Sequence, residues 1–192
     1  MTRRDEELRE AQVGGNEPSA GPVKIFDYDP RWPEQFSVEA AAVRAVLGDR
    51  VLHLEHVGST SVPRLPAKPI IDMLLVVVDS ADEPAYVPEM EAAGYTLRIR
   101  ERNWHEHRMF GGRRVAINLH VFSKGCPEIG RMLAFRNWLR SHERDRELYA
   151  RTKRELARKT WKYVQHYADA KTGVVEEILK GVPLRLGSRR SP

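Results

Sequence analysis

The segment HVGSTSVPRLPAKPIIDMLLVVV, residues His56–Val78, joins a turn rich in small residues to a very apolar run. From Ile70 to Val78 the run is apolar except at Asp72, which is too continuous for a strand with one exposed face. The pattern predicts a central β-strand covered on both faces. A carboxylate in such a strand is costly to bury unless a partner, a cation or water meets it. Lys68, which precedes Asp72 by four residues, is a candidate for that partner.

The turn before this strand has the composition of a phosphate-binding loop. Gly58 allows close approach of the backbone, and Ser59 and Thr60 supply hydroxyl and N–H groups of the kind that hold a phosphate. The same triplet also occurs in plain turns and at the caps of short helices, so a structural role stays open. A Gly-Ser turn followed by an aspartate on a central strand is the layout of nucleotidyltransferases, in which the turn holds triphosphate and strand carboxylates hold Mg²⁺.

Length, charge and hydropathy predict one soluble domain. The chain has 192 residues, enough for one substantial core and few for two domains. No window is apolar enough for a membrane span, and the N-terminus lacks the apolar region of a secretory signal, so we expect a cytoplasmic protein. The formal charge of +5, from 32 Lys and Arg against 27 Asp and Glu, suits an anionic ligand without requiring nucleic acid.

Patterning along the chain predicts an α+β fold, with a mixed sheet of about five strands first and a helical region after it. Residues 1–22 combine charge with Gly, Asn, Pro and Ser and are predicted to be a disordered tail, and residues 183–192 a flexible one. A single domain is expected over residues 23–182. The helix predicted from Arg144 to Lys162 carries eight cations interspersed with acidic residues, which favours a solvated helix over a nucleic-acid surface.

Five segments of the chain resemble one protein family. They are YDPRWPEQF, HVGSTSVPRLPAKPIIDMLL, WHEHRMF, INLHVFSKGCPEI and YADAKTGVVEEIL. On these motifs the chain, from about Lys24 to Leu179, resembles the GrpB family, and the resemblance implies a nucleotidyltransferase-like fold. The family is defined by sequence and fold rather than by one established reaction, so the resemblance implies no particular substrate.

Asp72 is the centre of the predicted site. Active nucleotidyltransferases carry a second acidic residue at the alternate position of this strand, where the chain has Leu74. Asn118 and His120 share a face of the INLHVF strand and are expected in the place of a third ligand, but neither is a carboxylate. Because two hard cations beside a triphosphate prefer several anionic oxygens, two-metal catalysis is expected to be impaired unless Glu55 compensates.

Two sets of site residues follow from these arguments. The predicted catalytic residues are Asp72, His120 and Glu55, with Asp72 and His120 as ligands of Mg²⁺ or Mn²⁺. The predicted phosphate- or substrate-binding residues are Gly58, Ser59, Thr60, Lys68, Arg108, Asn118 and Lys171. Arg108 is included because its planar guanidinium can grip a phosphate, although an ordinary salt bridge is equally open.

Histidines offer an alternative metal site. His105 and His107 are two residues apart, so in an extended segment they point the same way, and with His120 they could hold a transition metal. Histidines on a strand are more often satisfied by hydrogen bonds, so both interpretations stay open.

Three functions are compatible with these residues. The first is a transferase that moves a nucleotidyl or phosphoryl group to a small-molecule acceptor with a divalent metal. The second is a catalytically degenerate module that binds a nucleotide, a coenzyme or another metabolite, with binding that survives chelation. The third is an interaction domain with a protein partner. In the first two the partner is a nucleotide or another anionic small molecule, and neither nucleic acid nor a membrane is an expected partner.

Overall fold

The computed structural model of the protein describes residues 5–112 and 114–183. Within these residues the strands are β1 (His53–Val57), β2 (Ile71–Val77), β3 (Thr96–Glu101), β4 (His107–Gly111) and β5 (Ile117–Ser123). The α-helices are α1 (Asp5–Glu10), α2 (Trp32–Leu47), α3 (Val87–Ala92), α4 (Pro127–Ser141), α5 (Glu143–Ala157), α6 (Val164–Ala170) and α7 (Thr172–Lys180). The predicted α+β fold, with helices after the sheet, is confirmed. None of the described helices has the length and apolar character needed to cross a membrane.

The five strands form one mixed sheet in the order β1-β2-β5-β4-β3. Strand β2 is antiparallel to β1 and parallel to β5, and the remaining neighbours are antiparallel. This register places Val57 and Asn118 on the two sides of Asp72, and Glu55 and His120 on the two sides of Leu74.

The apolar run of β2 is continuous because its two faces belong to two separate cores. On one face, Met73 and Leu75 pack with residues of α2 and α3. On the other, Leu74 and Val76 pack with Phe122 beneath residues of α4. Every residue of β2 except Asp72 is buried, as expected for a strand covered on both faces. Asp72 lies near the N-terminal end of β2, where the face beneath α4 is incompletely covered. The candidate site forms there.

Residues 5–15 pack against the edge of the sheet, whereas the composition predicts a tail there. Leu8 of α1 is buried, and Gln12 forms a β-bridge with Ile99 of β3. The tail prediction is wrong for these residues because the buried apolar residues, Leu8 and Ala11, are few and stand among charged neighbours in the sequence. The tail predicted over 183–192 lies, apart from residue 183, outside the described residues.

Helix α5 is shorter and less solvated than its charges suggest. It ends at Ala157, and its buried residues include Arg146 and Lys153. Arg146 donates to the carbonyl oxygen of Leu139 at 3.0 Å. The prediction of a solvated helix is wrong for these two side chains, because the charge count does not show that they share the face that carries Tyr149.

Candidate functional site

The turn that follows β1 closes directly onto Asp72. Gly58 has a φ of 67°, and a Cβ atom at this position would lie 2.2 Å from Oδ2 of Asp72. Only glycine satisfies both the positive φ and this close approach. The antiparallel register explains the contact, because Val57 lies opposite Asp72 and the chain leaving β1 must cross the carboxylate.

Thr60 and Ser59, two of the three hydroxyl residues of the turn, have different roles. Thr60 is buried, and its Oγ1 lies 3.0 Å from Nε2 of His56, so it holds the turn together from inside. Burial lowers the pKa of His56 to about 4, which keeps this ring neutral near pH 7. Ser59 instead lines a cavity next to Asp72.

Asn118 and His120 of β5 lie beside Asp72. Nδ2 of Asn118 donates to Oδ1 of Asp72 at 2.9 Å. Nε2 of His120 lies 4.0 Å from the same oxygen. Burial, followed by repulsion from His107, lowers the pKa of His120 to about 4. The structure therefore brings Asp72, Asn118 and His120 together toward the N-terminal ends of the parallel strands β2 and β5.

A cavity of about 220 Å³ opens beside this cluster. The described residues that line it are Gly58, Ser59, Val62, Asp72, Arg131, Met132, Phe135, Arg136, Leu139, Tyr149, Lys171 and Val175. Asp72 is the one acidic residue among them, against the three cations Arg131, Arg136 and Lys171. Arg131 pairs with Glu128 and Arg136 pairs with Glu55, so two of these cations are already neutralised. Lys171 is the lining cation whose charge acts with that of Asp72.

Lys153 of α5 reaches the turn from behind. Its Nζ donates to Oγ of Ser59 at 2.9 Å and to the carbonyl oxygen of Pro66. The ammonium also lies 4.8 Å from the centroid of the Tyr149 ring. A lysine that is 2% exposed and hydrogen-bonded to the turn positions Ser59, which lines the cavity.

Two further lysines meet at Tyr167 of α6. The ammonium groups of Lys171 and Lys68 lie 4.9 and 5.8 Å from the centroid of its ring. Burial lowers the pKa of all three lysines, and repulsion by Lys171 lowers those of Lys68 and Lys153 further. The charge of Asp72 acts in the opposite direction on each of them. The Asp72 carboxylate therefore interacts with three ammonium groups, of which Lys171 repels the other two.

Glu55 does not replace the second carboxylate, which is missing because Leu74 occupies its position in β2. Its Oε2 accepts from Nη1 of Arg136 at 2.8 Å, which ties the side chain to α4. Leu74 itself is fully buried beneath α4. Over residues 5–112 and 114–183, no group of three or more His, Cys, Asp and Glu is placed to hold a metal ion. The one carboxylate of Asp72, with an amide that donates to it and an imidazole, does not match the anionic donor set that two Mg²⁺ ions need.

The alternative histidine site does not assemble either. His105 has a φ of 55° in the turn between β3 and β4, and its ring contacts Trp104. His107 and His120 do meet, but Nε2 of His107 lies 3.0 Å from Nδ1 of His120 in a hydrogen bond. Because these two nitrogens are bonded to each other, they leave no room for a metal ion between them.

Arg108 lies away from the site. Its Nε donates to Oε1 of Glu83 at 2.5 Å, and the guanidinium also pairs with Glu106. In the register of the sheet Arg108 lies opposite Val121, whose side chain belongs to the core beneath α2 and α3. The predicted phosphate contact at Arg108 is therefore replaced by a buried salt bridge.

Residues that the sequence predictions missed come from the C-terminal helices. Arg136 of α4 lines the cavity and Lys153 of α5 donates to Ser59 of the turn, although neither was a predicted site residue. The available signal is that each interrupts an apolar stripe at helical spacing, Arg136 between Met132 and Leu139, and Lys153 next to Tyr149.

Comparison with known proteins identifies the family. The sequence profile described as GrpB protein matches residues 22–181. The chain belongs to the GrpB family. It is 60% identical over 178 residues to UPF0157 protein BH1888 of Halalkalibacterium halodurans, covering 93% of this chain and 91% of that protein. The crystal structure of GrpB from Enterococcus faecalis matches at 34% identity with a TM-score of 0.70, covering 82% of this chain and 98% of that one.

The expected GrpB membership is thus confirmed at the level of sequence and of fold. A more distant match is the Cid1 poly(U) polymerase with MgGTP bound, at 10% identity and a TM-score of 0.49, covering 70% of this chain and 44% of that one.

Proposed function

We propose that this GrpB protein is a binding module for a phosphorylated small molecule, such as a nucleotide, and that binding at the Asp72 cavity needs no divalent metal. The observation that carries the proposal is the balance of charge in the described part of the site. Three lysines are buried or half-buried near Asp72: Lys153 is bonded to Ser59 of the turn, and Lys68 and Lys171 meet at the ring of Tyr167. The charge of Asp72 acts on all three, and Lys171 repels the other two.

A phosphate group is the anion that this arrangement suits best. Ammonium groups act as compact point charges that neutralise the spread negative charge of a phosphate. The Gly58–Ser59 turn lines the cavity and brings its backbone close to Asp72. The hydroxyl of Tyr167, beneath Lys68 and Lys171, is buried and has no hydrogen-bond partner within the described ranges. A buried hydroxyl of this kind calls for an additional polar atom, from water or from a ligand.

The donor set supports metal-independent binding rather than metal-dependent transfer. Leu74 fills the position of the second carboxylate, and Glu55 is neutralised by Arg136. The lysines therefore take over the neutralisation of phosphate charge that Mg²⁺ provides in a nucleotidyltransferase. We further propose the cytoplasm as the location, where nucleotides and other phosphorylated metabolites are abundant.

A thermal-shift screen tests the proposal. The wild type is heated with ATP, GTP, CTP, UTP, tripolyphosphate or inorganic phosphate, each with Mg²⁺ or with EDTA. A ligand at a hundredfold excess over its dissociation constant is expected to add about 2.7 kcal/mol of stability. We expect at least one phosphorylated probe to stabilise the protein equally with Mg²⁺ and with EDTA.

Two variants at the ends of α7 provide a matched comparison. Lys171→Met removes an ammonium group from the cavity, whereas Lys180→Met removes one from the exposed end of the same helix. The stabilisation is expected to be lost in the first variant and kept in the second. Stabilisation that appears only with Mg²⁺ and disappears in Asp72→Asn would support the transferase instead, and no response to any probe would overturn phosphate binding.

A further inference from the structure

The cavity beside Asp72 has a polar part and an apolar part. The polar part comes from Ser59 and Asp72, together with Lys171 at the C-terminal end of α6. The apolar part comes from the end of the turn and from three helices of the C-terminal region. Its residues are Val62, Met132, Phe135, Leu139, Tyr149 and Val175. A bare phosphate contacts the polar part and leaves the apolar part in water.

Helix α4 supplies most of the apolar part through its periodicity. Met132, Phe135 and Leu139 are three and four residues apart, so they share one face of the helix. Leu139 is buried in the core beneath this face, whereas Met132 and Phe135 are half-buried. Apolar side-chain surface is therefore left in contact with water inside the cavity, and covering it with an apolar group is favourable.

Two aromatic rings lie in this part of the cavity. Phe135 and Tyr149 meet edge to face, with their centroids 5.2 Å apart and their planes at 87°. Aromatic rings attract further rings in such arrangements, and the thioether of Met132 also contacts aromatic edges favourably. The apolar part thus suits a ring as well as an aliphatic chain.

The arginines on the same helix do not make this part suitable for a sugar. Arg131 pairs with Glu128 at 2.9 Å, and Arg136 pairs with Glu55 at 2.8 Å. A sugar ring would place its hydroxyl groups against the apolar side chains of α4, and polar groups that lose water without gaining a partner cost free energy. The lining therefore favours an apolar body over a sugar.

The size of the cavity limits the ligand further. Its volume is about 220 Å³. An apolar cavity of about 150 Å³ holds one benzene ring. The space is therefore suited to one ring, or a chain of similar size, together with a single phosphate, whereas a nucleoside triphosphate is larger than the cavity.

We infer that the ligand of this site is a phosphate monoester of an apolar alcohol, with its phosphate at Ser59 and Lys171 and its body against Met132 and Phe135. The inference rests on the proposed phosphate binding and narrows it to one class of compound, distinct from nucleotides and sugar phosphates. Phenyl phosphate is the simplest probe of this class, and glycerol 3-phosphate is a probe of similar size with a polar body.

Calorimetric titration in EDTA tests the ligand class. Phenyl phosphate is expected to bind at least about tenfold more tightly than glycerol 3-phosphate, or about 1.4 kcal/mol. Phenol, which has the ring without the phosphate, is expected to bind more weakly than phenyl phosphate. Equal affinities for the two phosphates would overturn the inference.

Met132→Gln and Leu133→Gln form a matched pair of variants. The two residues are neighbours on α4 and both are half-buried against the same core, and of the two it is Met132 that lines the cavity. The preference for phenyl phosphate is expected to fall to about threefold or less in Met132→Gln and to persist in Leu133→Gln. The affinity for inorganic phosphate is expected to stay the same in both. A full preference in folded Met132→Gln would contradict the inferred contact.

Methyl NMR of the wild type locates the bound ring without a destabilising substitution. The protein is labelled with ¹³C in its methionine methyl groups, and the Met132 signal is assigned from its absence in Met132→Leu, a swap that conserves volume. This signal is expected to move when phenyl phosphate binds. Met73 and Met90 are buried in the core on the other face of the sheet, so their signals are expected to stay in place. A Met132 signal that does not move at saturation would overturn the inference.

The two proposals fail in different ways. If phenyl phosphate, glycerol 3-phosphate and inorganic phosphate bind with equal affinity, the apolar contact is wrong and phosphate binding stands. If phenol moves the Met132 signal and none of the phosphates binds, the proposed function fails and the phosphate ester is wrong with it.

Discussion

Gly58 shows how one absent side chain determines the geometry of the site. Replacing it by alanine would place a methyl group 2.2 Å from the Asp72 carboxylate, so the turn or Asp72 has to move. We expect Gly58→Ala to lose about 2–4 kcal/mol of unfolding free energy, from overpacking combined with a strained φ, and to weaken binding of phosphorylated probes. Urea denaturation and calorimetry measure the two effects.

Gly125→Ala separates the two causes. Gly125 also has a positive φ, 86°, but an added Cβ would meet nothing within 4 Å. It is expected to lose only the backbone contribution, about 1–2 kcal/mol, and to keep probe binding. Equal losses in both variants would show that the contact with Asp72 is unimportant.

His56 makes stability depend on pH. Its pKa is about 4 in the folded protein and 6.5 in an unfolded chain, so the unfolded state binds more protons between these values. Stability is therefore fully present above pH 6.5 and decreases as the pH falls toward 4, by at most about 3 kcal/mol from this residue. In His56→Gln the decrease over this range is expected to be smaller, as measured by urea denaturation at several pH values.

His53 is the control for this measurement because it lies on the same strand and is exposed. His53→Gln is expected to keep the pH dependence of the wild type. A pH profile of His56→Gln that coincides with that of the wild type would contradict the conclusion that the buried His56 makes stability depend on pH.

In helix α5, Lys153 has two roles: it contacts the turn, and its ammonium group is proposed to contribute to ligand binding. Lys153→Met removes a costly buried ammonium but leaves Ser59 and the Pro66 carbonyl without their donor, and these effects oppose each other. We expect a change of about 1 kcal/mol or less in unfolding free energy, together with at least a tenfold loss of affinity for phosphorylated probes.

Arg151→Met on the same helix is the comparison, since Arg151 is exposed. It is expected to change neither quantity. Unchanged affinity in Lys153→Met would show that the ammonium only supports the turn.

The elements of the sheet could be predicted from sequence because their signals are local. The apolar run around Asp72 indicates a strand with two buried faces, and the glycine at position 58 indicates the turn before it. The partners of these residues are not local. Asn118 is 46 residues from Asp72, and Arg136 is 81 residues from Glu55, so no pattern within one element reveals either contact.

Charge patterns mislead for a related reason. Arg108 and Lys153 are both cations in charged segments, yet one is neutralised by Glu83 and the other lies behind the turn. Which outcome applies depends on the partner that the fold brings to each side chain. Leu8 shows the same effect for an apolar residue, because its burial depends on the edge of the sheet rather than on its neighbours in sequence.

For the molecule as a whole, ligand binding is expected to take up protons. A phosphate favours the charged form of Lys68, Lys153 and Lys171, whose pKa values are lowered in the empty protein, so binding raises them. Affinity is therefore expected to fall as the pH rises from 7.5 to 9.5. Calorimetry in two buffers of different ionisation enthalpy measures the proton uptake, which is expected to be smaller in Lys171→Met and the same as in the wild type in Lys180→Met. Proton release on binding would contradict the lysine site.

The N-terminal segment protects one edge of the sheet. Gln12 pairs with Ile99, and the Arg100 N–H donates to the carbonyl oxygen of Ala11 at 2.8 Å. A variant that begins at Val13 exposes this edge of β3, and open edges pair with other chains. We expect it to be less stable and to self-associate in size-exclusion chromatography with light scattering. A variant that begins at Asp5 keeps these contacts and is expected to behave as the full chain does.

The repulsion of Lys68 and Lys153 by Lys171 has a consequence for the lifetime of the protein in the cell. A bound phosphate offsets this repulsion, so occupancy lowers the fraction of time in which the chain is open to proteases. We expect the half-life of the protein in a cell extract to lengthen when its ligand is plentiful and to shorten when it is scarce. The amount of protein would then follow the supply of the metabolite, without any change in its synthesis.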